Sequence, residues 1–255
     1  MYFDLQRASM LKRISARILD VILVTILATG FGLLVSAFTG YDAEAEQLDV
    51  FYNAYEQEYG IRLDLDNETY ETMTETELAP YEAAYEAMSQ DSELQLVYSR
   101  VVNLSLLIIS LGFLMSYAVV DFAVPLIFKN GQTIGKKVFG LGVMQTDQTR
   151  IRTLSLAVRT FLGRYTIETM IPVLLCIMIY FGFIGISGTV TIGLLLLLQL
   201  ILLFKSQTNA VIHDLLSQTV VIDFKSQMIF ENAQALQECK DKLSNTETKE
   251  ERRGL

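Results

Sequence analysis

Apolar residues are grouped along the chain in long blocks that contain no charged residue. The blocks cover residues 21–38, 101–120 and 169–204, and residues 14–19 extend the first block inward. A helix needs about 20 apolar residues to cross roughly 30 Å of hydrocarbon. The last block has 36 residues, which is enough for two such helices. The pattern therefore predicts an all-α membrane protein with four transmembrane helices.

The ends of these blocks need two further interpretations. Gly182, Gly185 and Gly188 mark the tight turn expected between the third and fourth helices. The basic residues before the first block resemble the start of a cleaved secretory leader. Asp20 interrupts that apolar segment and the block is long, so we interpret it as a retained first span.

The distribution of Lys and Arg predicts the orientation, because these residues concentrate in cytoplasmic loops. Residues 40–96 contain only Arg62, and the glycine-rich turn contains no basic residue. Both termini are therefore predicted to be cytoplasmic, with residues 40–96 outside. The basic residues on the predicted inner side are Arg7, Lys12, Arg13, Arg17, Lys129, Lys136, Lys137, Arg150, Arg152, Arg159, Arg164 and Lys205.

Residues 40–96 are predicted to form an extracellular helical hairpin. A first apolar stripe recurs at steps of three and four residues and stops before Gly60, which is typical of a helix end. A capping box from Thr74 to Glu77, followed by Pro80, predicts the start of a second helix. The stripes predict a packing seam, and the alternative is that they bind a partner. They comprise Leu48, Phe51, Tyr52, Tyr55 and Tyr59 in the first helix and Tyr81, Tyr85 and Met88 in the second.

A small cytoplasmic β element is predicted from two further segments. Residues 138–144 follow the turn signal Asn130-Gly131 and are rich in strand-forming residues, and Thr219 to Asp223 is a second candidate strand. The stretch from Thr153 to Tyr165 is basic and amphipathic, and we expect it to lie along the inner surface of the membrane. The tail from Lys225 onward is polar and is expected to be partly helical and partly disordered.

Charge and cysteine content exclude some classes of protein. The chain has a net charge of −9, but residues 40–96 alone carry −15 and the remainder +6. No basic stripe suited to nucleic acid is present. Cys176 and Cys239 lie in unlike contexts and are not expected to pair. The predicted segments are 1–39 (first span), 40–96 (acidic hairpin), 97–224 (the other three spans with the cytoplasmic loop) and 225–255 (charged tail).

Charged residues near the spans are the best candidates for function, because desolvating a charge costs several kcal/mol unless it is paired or hydrated. Asp20 lies in the inner part of the first span, with Arg13 and Arg17 on nearby turns. One interpretation is an ion or proton pathway built on these carboxylates, assisted by the single histidine. The other is a structural role, in which Asp20 and Asp214 pair with Arg13, Arg17 or Arg159. Supporting candidates are Asp121, Glu168 and His213, of which Asp121 and Glu168 are expected to be solvated at the interface.

Other motifs predict no chemistry. Gly131, Gly135 and Lys136 resemble a phosphate loop, but three residues instead of four separate the first glycine from the Gly-Lys pair. We therefore interpret Gly131, Gly135, Lys136 and Gly140 as a structural turn. With no metal-ligand spacing and no nucleophile–base pair, the sequence predicts a non-enzymatic protein without metal or cofactor.

Three blocks of the sequence resemble the RDD family of membrane proteins. Arg13 to Asp20 is similar to the family's Arg-x-x-Ala-x-x-(Ile/Leu)-Asp, and Gly131 to Val143 is similar to its Gly-Gln-Thr-x-Gly-Lys block. His213 to Val221 resembles its closing Asp and Thr-x-Val segment, although His213 and Gln218 stand where glycine is common. The resemblance covers about 10–40 and 97–224, and the acidic segment is an unusual insertion.

The resemblance implies that Arg13, Asp20 and Asp214 are the arginine and the two aspartates for which the family is named. It implies transport of an ion or small ligand, with sodium–proton exchange among the suggested activities. The alternative is an adaptor or assembly factor that acts through the hairpin and the tail. The expected setting is a bacterial plasma membrane, and the expected partners are the lipid bilayer, further copies of the chain and a protein bound at the hairpin.

Overall fold

A computed structural model describes residues 8–65, 69–70, 72–180, 184–205 and 210–251 of the 255-residue chain. Arg7 and Gly182 lie outside the described residues. The chain divides into two compact units, residues 1–28 with 113–255, and residues 29–112. The boundaries between the two units fall within the first and second spans, whereas the segments predicted from the sequence have their boundaries at the ends of the spans.

Four helical stretches of the described chain are long and apolar enough to cross a membrane. They are Met10–Thr39, Ser92–Phe128, Thr153–Tyr180 and Gly185–Leu202. The predicted class, a mostly helical membrane protein with four spans and a small sheet, is confirmed. The elements are α1 (Met10–Thr39), α2 (Tyr41–Tyr59), α3 (Glu75–Gln90), α4 (Ser92–Tyr117), π1 (Ala118–Ala123), α5 (Val124–Phe128), α6 (Ile134–Val138), β1 (Leu141–Gln145), α7 (Thr153–Ala157), π2 (Val158–Met170), α8 (Ile171–Tyr180), α9 (Gly185–Lys205), α10 (Ile212–Leu216), β2 (Thr219–Asp223) and α11 (Ala233–Glu251).

The second and third spans each contain a π-helical segment, π1 and π2. Segments of this kind are rare and are often found at functional sites. The third span runs without a break from Thr153, so the stretch Thr153–Tyr165, which was expected to lie along the inner membrane surface, forms the first part of this span instead. Arg159 and Arg164, which gave that stretch its basic face, are only 2% and 3% exposed. Their buried acidic partners allow this part of the helix to lie inside the protein.

The two predicted strands pair in antiparallel register, from Leu141 opposite Asp223 to Gln145 opposite Thr219. Every residue of β1 is buried, so both faces of the small sheet are covered. On one face Leu141 and Val143 contact Ala16 of α1, and on the other face Met144 packs with β2. The sheet therefore holds the loop after the second span against the base of α1.

The first strand begins at Leu141, three residues later than predicted. Residues 134–138 form α6 instead, because the Thr133 side chain caps the helix by accepting a bond from the backbone N–H of Lys136. Gly140 has a φ of +67°, which turns the chain out of the helix and into the strand. Gly131 also has a positive φ, and a side chain there would meet Val143 at about 3 Å.

In the unit formed by residues 29–112, α2 and α3 pack against each other. Leu48 of α2 and Met88 of α3 share one buried cluster, and Tyr81 of α3 belongs to a second. These contacts agree with the predicted seam, except that Tyr85 is 49% exposed. Helix α2 ends at Gly60, whose φ of +64° provides the expected stop.

The capping box predicted at Thr74 is present at the start of α3. The Glu77 carboxylate accepts bonds from the Thr74 backbone N–H at 2.9 Å and from its hydroxyl at 2.7 Å. These bonds lower the pKa of Glu77 below its ordinary value, and the bond from the backbone N–H has the larger effect. The stabilisation is therefore complete above the ordinary glutamate pKa and is lost as the pH falls through the lowered one.

Replacing Glu77 with Ala is expected to lower the melting temperature of the chain at pH 7, because the backbone N–H of Thr74 at the start of α3 loses its acceptor. Circular-dichroism melts of the full chain in detergent would measure the change. Glu75→Ala removes a charge from the same first turn without touching the cap, and it should have the smaller effect. A difference between the two variants that persists at about pH 2 would contradict the assignment.

Candidate functional site

A cavity of about 290 Å³ lies in the unit formed by residues 1–28 and 113–255. Elements α1, α6, π2 and α10 contribute charged side chains to its wall. Burying such groups is costly unless each finds a partner, so the pairing of each charge decides what the site can do. The charged residues of the wall are Arg13, Arg17, Asp20, Lys136, Arg159, Arg164, Glu168 and Asp214.

Asp20 of α1 is held by the N-terminal end of α6. Its Oδ2 accepts a bond from the Thr133 hydroxyl at 2.6 Å, and its Oδ1 accepts one from the backbone N–H of Gly135 at 2.9 Å. Lys136 Nζ lies 3.9 Å from Oδ2 and donates to the same Thr133 hydroxyl at 3.2 Å. A helix N-terminus favours a negative charge, so the backbone and Lys136 both stabilise this carboxylate.

The predicted pairing of Asp20 with Arg13 or Arg17 is therefore wrong. Both arginines lie N-terminal to Asp20 on α1, and helix side chains lean toward the N-terminus. They reach away from Asp20 and pair with Asp214 and Glu168.

Asp214 of α10 joins two arginines from distant parts of the chain. Its Oδ1 lies 2.8 Å from Arg159 Nη2, and its Oδ2 accepts a bond from Arg13 Nη2 at 3.3 Å. The Thr219 hydroxyl donates to Oδ1 at 3.3 Å and accepts a bond from Arg159 Nη1 at 3.0 Å. The pairing expected for Asp214 is thus present in the structure, and it links α1, π2 and α10.

Glu168 of π2 is bonded to His213 of α10. Its Oε1 lies 2.7 Å from His213 Nδ1 and 3.3 Å from the backbone N–H of the same residue, while its Oε2 lies 3.7 Å from Arg17 Nη2. The two helices meet closely because Gly163 has no side chain: a Cβ there would lie 2.5 Å from that of His213.

Asp121 of π1 forms an ion pair with Arg164 of π2. The Thr160 hydroxyl donates to the backbone carbonyl of Asp121 at 2.8 Å, so two bonds join the π-helical parts of the second and third spans. The expectation that Asp121 and Glu168 are solvated is wrong, since their side chains are 2% and 7% exposed.

Lys136 is the least expected member of the cluster. Burial lowers its pKa well below the ordinary lysine value, and the nearby Arg164 lowers it further, while Asp20 acts in the opposite sense. A lysine in this setting can exchange its proton nearer to neutral pH than a surface lysine can.

The two neighbouring groups on α10 have lowered pKa values. Burial lowers the pKa of His213 well below its ordinary value, which favours the neutral ring at neutral pH. Burial acts to raise the pKa of Asp214, but the arginines, Arg159 foremost, outweigh it and keep the pKa below the ordinary value. The arginines therefore favour the ionised form of Asp214, whereas burial favours the neutral form of Lys136.

The structure thus brings together all eight charged or ionisable residues that the sequence singled out on α1, π1, π2 and α10, and it adds Lys136 to them. The sequence pointed to Lys136 only as part of a structural turn. Thr133 and Thr219 were not identified as site residues, although both hydroxyls contact an aspartate. Their position inside the blocks that resemble the family was the available signal.

Among the residues that the structure describes, no group of three His, Cys, Asp or Glu side chains is placed to hold a metal ion. Cys176 and Cys239 are both free thiols. The cavity wall carries guanidinium, ammonium, carboxylate and imidazole groups.

The model of the RDD family matches residues 7–218, a range that includes the whole charged cluster and the acidic hairpin. No curated protein and no solved structure matches the chain.

Proposed function

The chain belongs to the RDD family of membrane proteins, and we propose that it transports an ion or a small ligand without acting as an enzyme. The observation that carries the proposal is the cavity among α1, π2 and α10, with its closely spaced ionised groups. Ionisable residues within a helical membrane bundle are costly, and they commonly line ion or substrate pathways.

The proposal includes an orientation and a setting. The basic residues favour cytoplasmic termini in a bacterial plasma membrane, which would put the cavity at the inner ends of the helices. Four spans are few for a complete pathway, so we propose that several copies of the chain associate. Many large apolar residues of α9 are exposed in the single chain, which supports such an association or contact with lipid.

Asp20 provides the test of transport. The purified full chain in liposomes, with a trapped pH dye and labelled sodium, phosphate or succinate outside, is expected to show flux of at least one solute. Asp20→Asn should reduce that flux about fivefold or more, because the neutral amide no longer balances Lys136. Asp223→Asn is the matched control, since this carboxylate pairs with Lys12 outside the cavity.

Size-exclusion profiles and circular dichroism must show that both variants are folded. Flux of Asp20→Asn equal to that of the unsubstituted chain, or no flux of protons or any of the three solutes, would overturn the proposal.

The acidic hairpin favours a second candidate function, that of an adaptor or assembly factor. Helices α2 and α3 have their own buried clusters, and a groove beside them is lined by Tyr52 and Tyr85 together with carboxylates such as Asp49. An ordered acidic groove of this kind suits a protein partner. If deletion of residues 45–92 abolished the cellular phenotype while insertion persisted and no flux was seen, the adaptor role would replace transport.

A further inference from the structure

Basic residues outnumber acidic residues in the wall of the charged cavity. Among the described residues that line it, five are basic and three are acidic. Asp121 adds a fourth carboxylate behind the wall through its pair with Arg164. The four arginines and four carboxylates balance when Lys136 is neutral, and a protonated Lys136 adds one positive charge.

The acidic residues of the wall are already hydrogen-bonded within the protein. Each acidic residue of the wall already accepts hydrogen bonds from protein groups: Asp20 from Thr133 and Gly135, Asp214 from Arg13 and Thr219, and Glu168 from His213. The carboxylates of the wall are therefore bonded to protein donors, whereas Oδ2 of Asp121, behind the wall, has no hydrogen-bond partner among the described residues.

Two guanidinium groups of the cavity have N–H donors without a hydrogen-bond partner among the described residues. Each arginine carries five N–H donors, and Arg17 and Arg164 provide the donors of interest in this cavity. Within the part of the chain that the structure describes, the buried Nη1 of Arg17 and Nε of Arg164 have no hydrogen-bond partner. A buried donor without a partner is destabilising, and an acceptor in the cavity would satisfy it.

The size of the cavity limits what this acceptor can be. A volume of about 290 Å³ equals that of roughly ten water molecules, which admits a small molecule or a headgroup. Guanidinium groups match the geometry of carboxylate and phosphate oxygens, which they bind through paired N–H donors.

We propose that the cavity binds an oxyanion, a carboxylate or phosphate group, at Arg17 and Arg164. This deepens the proposed function by assigning the class of its substrate, and it rests on that function only for the step of transport. The oxyanion could be a free anion or the phosphate of an anionic lipid, because the exposed Ile14 and Ile18 also border the cavity.

Binding to the full chain in maltoside micelles tests the proposal. Isothermal titration with inorganic phosphate and with succinate measures free anions, and native mass spectrometry with added phosphatidylglycerol measures the lipid. Arg17→Gln is expected to weaken binding about tenfold or more. This variant is preferred over one at Arg164 because the Arg17 side chain is 31% exposed and its partner Glu168 keeps its bonds to His213.

Lys12→Gln is the matched control, because it removes one positive charge from the same helix outside the cavity. Binding of phosphate or succinate that Arg17→Gln weakens and Lys12→Gln does not would support a free anion, and the same pattern seen only with phosphatidylglycerol would support a lipid. Absence of all three, or equal weakening by both variants, would overturn the proposal.

The outcomes for binding and for transport can be separated. Flux of sodium or protons without binding of any oxyanion would support transport and contradict the oxyanion site. Specific oxyanion binding with no flux of any solute would do the reverse.

Discussion

Asp214→Asn is expected to lower the free energy of unfolding by about 4 kcal/mol, which is close to a thousandfold in the equilibrium constant. The substitution leaves Arg13 and Arg159 without their shared carboxylate, and Arg159 is 2% exposed. Removing one partner of a buried pair is costly because the remaining charge stays desolvated. Denaturant unfolding in mixed micelles, followed by circular dichroism, would measure the loss.

Asp223→Asn again provides the control, because its partner Lys12 is 47% exposed and surface pairs contribute only about 0–1 kcal/mol. The double variant Arg159→Leu with Asp214→Leu should lose less than the two single variants together. A loss at Asp214 no larger than that at Asp223 would mean that the buried pair does not hold α10 to the helices.

Gly135→Ala is expected to destabilise the fold by about 3 kcal/mol or more, because no room exists for a methyl group. An added Cβ would lie 2.3 Å from the carbonyl oxygen of Ala16 and 2.7 Å from Asp20 Oδ1. Both neighbours belong to α1, so α6 would have to move away and the bond from the Gly135 N–H to Asp20 would be lost. The melting temperature in detergent would report the effect.

Gly193→Ala on α9 is the corresponding control. Among the described residues, nothing apart from its own helix backbone lies within 4 Å of the added Cβ. The variant should therefore be as stable as the original chain or slightly more stable, since alanine favours a helix. Equal melting temperatures for the two variants would show that α1 and α6 are not in close contact.

Features set by local sequence were predictable. Uncharged blocks predicted four spans, and the strand from Thr219 to Asp223 has the bounds that its composition indicated. Gly60 and the capping box at Thr74 were also identified, because caps depend on residues a few positions apart.

Features set by contacts between distant residues were not predictable. The partner of Asp20 is Lys136 rather than an arginine on its own helix, and nothing in the sequence favours one of several nearby cations. Arg164 gave its segment the pattern of a surface helix, yet it is buried because Asp121 lies opposite. The sequence pattern shows which faces of a helix carry polar residues. It does not show whether those residues are hydrogen-bonded to water or to other side chains, because that depends on tertiary packing.

The ion pair between Arg13 and Asp214 joins residues 201 positions apart. A ribosome adding about 5–20 residues per second needs roughly 10–40 s to pass from one to the other. Throughout that interval the nascent first helix exposes an arginine whose counter-charge does not yet exist. A chain released before residue 214 would lack the carboxylate that Arg13 and Arg159 share, so the contacts that join α1, π2 and α10 through Asp214 could not form.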